Sequence, residues 1–117
     1  MNRNMRQLAL LTALVAFAPA AAGAADANLV QSGKEVYASQ QCARCHMIGG
    51  KGYKRGKLDG VASKMSTDEM RKWLTKPADM EAKLSEPPKV KMSSRKRMKL
   101  SDADVTALVA YLSTLKK

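Results

Sequence analysis

The sequence predicts a small all-α domain of three to four helices wrapped around a filler other than its own side chains. Three observations carry that expectation. Apolar residues recur at helical spacing in separate segments divided by glycine- and proline-rich connectors. No stretch alternates convincingly as a strand. With 117 residues the chain has room for one domain, and its large aromatics are few: Phe17, Tyr37, Tyr53, Trp73 and Tyr111. Domains of this size bury a modest share of their surface and often rely on a metal, a cofactor or disulfides.

The first segment stands outside that domain. Asn2 to Arg6 is a short basic head, Leu8 to Ala18 is apolar apart from Thr12, and Ala22-Gly23-Ala24 offers the small-x-small pattern of a signal-peptidase site. The expectation is an export signal over residues 1–24 and a mature domain over residues 25–117. The apolar run is too short to span a hydrocarbon core of about 30 Å comfortably, so a retained anchor is the weaker reading. No stable membrane insertion is expected after cleavage, and the expected compartment is the periplasm.

The remaining elements follow in order. Leu29, Val30, Gly33, Val36 and Tyr37 give a short amphipathic helix from about Asn28 to Ser39. Gly49, Gly50, Gly52, Gly56 and Gly60 mark a loop. Ser66 with Glu69 has capping-box spacing, and Met70, Trp73 and Leu74 share a face until Pro77 stops the helix, giving Thr67 to Lys76. Residues 77–99, with Pro77, Pro87 and Pro88, read as an extended loop. Ser101 with Asp104 opens a last helix whose stripe is Val105, Leu108, Val109, Leu112 and Leu115.

Charge narrows the partners. The net charge is +11, and cleavage after Ala24 removes only Arg3 and Arg6 from it, so the mature protein stays strongly basic. Such a surface suits nucleic acid, anionic lipid or an acidic protein. Export leaves nucleic acid the poorest fit of the three.

The chemistry gathers at Cys42-Ala43-Arg44-Cys45-His46, which holds both cysteines and the single histidine of the chain. Cys-x-x-Cys-His is the pattern of covalent haem attachment: on a tight helical turn both thiols can reach the two vinyl groups while the imidazole turns to the iron. The other ring N–H then needs a carbonyl to fix the ring plane, and the glycine-rich loop is its expected source. A thioredoxin-like site would want a βαβ scaffold, a zinc site four ligands, and a disulfide at this spacing is sterically awkward. In an oxidising compartment two idle thiols would also tend to be oxidised.

With these residues the chain resembles the class I bacterial monohaem cytochromes c, over nearly the whole mature segment. The resemblance implies one covalent haem c with iron, attached at Cys42 and Cys45 with His46 as axial ligand. It implies an N-terminal helix crossing the C-terminal one at Gly33, Tyr37, Leu108 and Tyr111. It implies a methionine as second axial iron ligand, and Met92 matches by position, ahead of Met98, Met80 and Met65. Tyr53 and Trp73 resemble positions whose polar hydrogens reach a haem propionate. Two departures stand out: Met92-Ser93 where Met-Pro is frequent, and Gly56-Lys57-Leu58 where Gly-Pro-x-Leu is frequent. Lys57 can still offer its backbone carbonyl to His46.

The function expected from this resemblance is one-electron transfer between redox protein partners, with no substrate transformed and therefore no enzyme activity. Met/His ligation leaves no open iron position and raises the potential. Lys89, Lys91, Arg95, Lys96, Arg97 and Lys99 bracket Met92 and form a rim suited to acidic docking surfaces on the partners of a monomeric carrier. A haem enzyme or gas sensor would instead leave the distal position open. A fixed subunit of a dehydrogenase or oxidase would use the basic rim as a permanent contact.

Overall fold

The computed structural model describes residues 21–95 and 98–117. Most of the expected export signal, and Lys96 and Arg97 of the basic rim, lie outside the described residues. Four helices and one minimal hairpin follow in the order α1 (Ala21–Ser39), β1 (Met47–Ile48), β2 (Lys51–Gly52), α2 (Thr67–Thr75), α3 (Pro77–Glu81) and α4 (Asp102–Leu112). The all-α expectation holds. It needs one correction, because Met47 pairs with Gly52 and Ile48 with Lys51 in an antiparallel ladder too short to leave a periodic signal.

The helix crossing frames the molecule. α1 and α4 share the most extensive contact between elements. Gly33 is buried there, and a Cβ on it would collide with the Ala107 carbonyl and stand 2.6 Å from Tyr111 Cβ. Absence of a side chain lets the two backbones touch. Beside it Tyr37 and Tyr111 meet edge to face at 5.9 Å and 81°, a favourable arrangement for aromatic quadrupoles. Lys34 Nζ lies 5.9 Å from the Tyr111 ring centroid.

The caps fall where the sequence places them. Ser101 Oγ accepts from the Asp104 N–H and Asp104 returns the bond to the Ser101 N–H, closing a capping box at 3.1 and 3.0 Å. Ser66 Oγ accepts from the Glu69 N–H at 3.2 Å to start α2. Pro77 ends α2 at Thr75 as expected, yet the following chain is not all loop. Pro77 takes the first position of α3, where its missing N–H costs no helical bond.

The core lies on one face of α4. Val105, Val109 and Leu112 are buried with Met70 of α2, and Leu58, Val61, Leu74 and Leu100 pack on them. Leu115 lies past the end of α4 and still packs on this cluster. Its carbonyl accepts from the Ala62 N–H at 3.0 Å, which ties the C-terminal segment to the loop before α2. Leu108, the most deeply buried large side chain, lies beside the crossing and also faces the cavity described next. No described helix is long and apolar enough to cross a membrane.

Candidate functional site

The chain leaves α1 through Gln41, whose φ of 55° is left-handed, and enters a 3-10 turn over Cys42–Arg44. The N–H groups of Cys45 and His46 both donate to the Cys42 carbonyl, at 3.1 and 2.9 Å. This turn puts Cys42, Cys45 and His46 on the wall of a single cavity of about 790 Å³. Both cysteines are free thiols and half-buried.

His46 is aimed by backbone. Its Nδ1–H donates to the Gly56 carbonyl at 3.2 Å, which leaves Nε2 as the free lone pair. The carbonyl comes from the expected loop but one residue earlier than Lys57. Lys57 instead bridges to Met47, and the next N–H, that of Leu58, donates to the Met47 carbonyl at 2.9 Å. A Cβ on Gly56 would strike the Cys45 carbonyl, and one on Gly52 the His46 carbonyl. The loop is therefore packed directly onto the back of the Cys-x-x-Cys-His turn.

Burial governs the titration of these groups. It holds the His46 pKa below its ordinary value, opposed by the bond to Gly56 and reinforced by the Arg95 charge. It pushes the Cys42 thiol up, with Arg95 pulling the other way. Tyr37, on the same wall, is pushed up to about 12, chiefly by burial and then by repulsion from Cys42, Tyr111 and Asp59. Its hydroxyl is shielded from solvent without a partner among the described residues.

Among the described residues, four methionines share the cavity with His46. Met92, Met98, Met65 and Met70 all reach its wall. Met80 does not: it belongs to a separate groove between α2 and α3, which removes it from the set able to face His46. Met92 opens a 3-10 turn, Met92–Ser94. Trp73, half-buried, and Tyr53, which is 48 % exposed, both border the cavity. Lys89, Lys91 and Arg95 line it from the basic rim, joined by Arg44 and Arg55, which sequence reading did not single out.

Glu81, and the contacts that Arg95 makes beyond its place in the basic rim, have no signal in the sequence. Glu81 is the one buried charged residue among those described, and it grips Ser93, the neighbour of Met92. Hydrogen bonds from the Ser93 hydroxyl and N–H hold its carboxyl below the usual carboxylate range. Arg95 donates to the Gln40 and Gln41 carbonyls just ahead of Cys42, at 3.1 and 3.4 Å.

The residues present fit a haem. The volume lies within the range of about 300–1,000 Å³ typical of cofactor pockets, and Leu58, Val61, Leu74, Leu108 and Leu112 make much of the wall apolar. Two thiols three residues apart, an imidazole with one nitrogen already bonded, and thioethers lining the same cavity are the donors that covalent haem chemistry uses. Among the described residues no group of three or more His, Cys, Asp or Glu side chains could hold a metal ion by itself.

Comparison with known families finds a match over residues 30–116 to the family described as cytochrome c. No curated protein and no solved structure matches the chain.

Proposed function

The chain belongs to the cytochrome c family and binds a covalently attached haem c with iron as an electron carrier, and from that premise we propose a specific role: an exported, periplasmic, single-haem carrier that shuttles one electron at a time. Residues 1–24 direct export and residues 25–117 are the mature carrier. Cys42 and Cys45 form the two thioether links, His46 supplies one axial ligand and Met92 the other. The observation that carries this reading is the His46 Nδ1–H bond to Gly56 beside two free thiols on one largely apolar cavity wall.

When bound, the haem supplies a ferric/ferrous couple that changes by one electron. The residues keep its surroundings constant through that change. Gly56 fixes the imidazole plane, and burial lowers the His46 pKa, which favours the neutral ring whose Nε2 can serve as a ligand. The neutral thioether of Met92, once it holds the iron, would favour the reduced metal and leave no site for a substrate. Leu58, Leu74 and Leu108 give the cavity an apolar lining that would disfavour water beside a bound haem, and Tyr53 and Trp73, on the same border, would offer it polar hydrogens for its propionates.

Lys89, Lys91, Arg95, Arg44 and Arg55 make the cavity border predominantly positive against the carboxylate of Glu81, and the monomeric carrier meets acidic docking surfaces through it. Electron exchange with an acidic partner should slow as salt rises, since the screening length falls from about 10 Å at 0.1 M to about 3 Å at 1 M. A rate indifferent to salt would refute this steering.

The test is expression of the full chain in a bacterium equipped for haem maturation, followed by fractionation, intact mass and visible spectroscopy. The expected product is periplasmic, begins at Ala25, carries one haem and has no free thiol. Met92→Ala should abolish the ferric iron–sulfur band while Met98→Ala and Met65→Ala keep it. A colourless, folded product with free or mutually joined sulfurs would end the assignment of Cys42 and Cys45. Survival of the band in Met92→Ala would move the axial ligand elsewhere.

A further inference from the structure

The segment around Met92 is fastened at two points, and both fastenings are peculiar to its side chains. Glu81, the last residue of α3, is 9 % exposed and holds Ser93 with both carboxylate oxygens. Oε1 accepts the Ser93 N–H at 2.9 Å and Oε2 accepts the Ser93 hydroxyl at 2.6 Å. Two residues further on, Arg95 reaches the Gln40 and Gln41 carbonyls at 3.1 and 3.4 Å. Within the turn, the Ser94 hydroxyl donates to the Lys91 carbonyl at 2.6 Å and the Arg95 N–H to the Met92 carbonyl at 3.2 Å.

Position 93 is where a proline would have stiffened the turn by fixing φ, at the loss of an N–H. Serine cannot stiffen the backbone in that way. It offers instead two donors, and both are spent on one buried carboxylate, a short charge-assisted pair. A carboxylate withdrawn from water must be met in this manner, so α3 and the Met92 turn are locked together.

We propose that Glu81 is the positioning residue for Met92: its two-pronged hold on Ser93 replaces proline stiffness and keeps the Met92 side chain at the wall of the cavity that His46 also lines. This rests on the assignment of Met92 as axial ligand. Arg95 sets the other end of the same segment against the turn that carries Cys42. Removing the Glu81 hold leaves the haem attached through Cys42 and Cys45 but lets the thioether leave the iron more often.

The experiment uses the haem-loaded protein and follows the rate at which added imidazole displaces the native ligand from ferric iron, a rate limited by thioether departure. Glu81→Ala should raise that rate about tenfold or more, Ser93→Ala by less because the N–H survives, and Ser93→Thr should match wild type because both donors remain. Amide hydrogen exchange at Ser93 should quicken in Glu81→Ala, while Gly56 and Leu58 stay protected. Should Glu81→Ala fail to fold, the Ser93→Ala and Ser93→Thr pair carries the test alone. A displacement rate within twofold of wild type in the folded Glu81 and Ser93 alanine variants overturns the role of Glu81, provided that Met92→Ala has lost the iron–sulfur band. Retention of that band in Met92→Ala overturns the ligand assignment itself, and the role of Glu81 with it.

Discussion

The two sides of the cavity are built from different kinds of bond. The side that carries His46 is held mainly by main chain: the Tyr53 N–H meets the Ala43 and His46 carbonyls at 3.1 and 3.0 Å, Gly56 N–H meets Tyr53, and Leu58 N–H meets Met47. The side that carries Met92 is held to its surroundings by side chains, Glu81 to Ser93 and Arg95 to Gln40 and Gln41. A wall made of backbone tolerates exchange of side chains but has no room for a new Cβ. A wall made of side chains has the opposite weakness, because one substitution can free it without touching the rest.

The strongest way to break this contrast is Gly56→Ala. The added methyl would strike the Cys45 carbonyl and stand 3.0 Å from His46 Cα, both backbone atoms that cannot rotate away. The expected loss is about 3 kcal/mol or more, read from denaturant midpoints and from the yield of haem-loaded protein. Lys51→Ala and Lys54→Ala, in the same loop with exposed side chains, should stay within about 0.5 kcal/mol. If Gly56→Ala were as mild as they are, the loop would not be seated on the Cys-x-x-Cys-His turn in the way described.

The same contrast explains what could be read in the sequence. Backbone-held features leave local marks: Cys42 to His46 lie within one turn, the glycines cluster, and Ser66 and Ser101 announce α2 and α4. The Gly33 approach to Ala107 was legible through the resemblance to a family whose end helices cross there. Side-chain ties leave none, since Glu81 meets Ser93 twelve residues away and Arg95 meets Gln40 across fifty-five. Nothing in the composition of residues 77–99 says which of their many charges is buried. Smaller misreadings have their own causes. α1 begins by Ala21 rather than Asn28 because alanine is the best helix former and carries no periodic signal. α3 leaves no clear mark because Pro77 reads as a stop when it is also a start. Gly56 rather than Lys57 serves His46 because the choice depends on the turn over Lys54–Gly56, which spacing does not determine.

Arg95→Met sharpens the comparison at a smaller scale. It keeps an unbranched apolar stem and removes the guanidinium that caps the end of α1. The expected loss is about 1 kcal/mol of global stability. Amide exchange should quicken at Arg95 and Met98, whose N–H groups close the turn after Met92, and remain unchanged at Tyr53 and Leu58. Equal quickening on both sides would mean that the two walls form one cooperative unit and that the distinction between them has no energetic content.

Tyr37 provides the smallest and most delicate test, because it stands on α1, which serves both walls. Burial pushes its pKa from the ordinary 10.0 to about 12, so the folded protein holds the phenolic proton more tightly than the unfolded chain does. That contribution is complete below pH 10 and fades as pH rises towards 12, where both states ionise. Tyr37→Phe should therefore lose less stability than wild type over this window, with the many lysines, common to both proteins, cancelling in the difference. At neutral pH the variant should be equal to wild type or more stable by up to about 1 kcal/mol, since it deletes a shielded hydroxyl that has no partner among the described residues. A loss of more than about 1 kcal/mol at neutral pH would show instead that the hydroxyl is bonded in the haem-loaded protein, making α1 a third, side-chain-held wall.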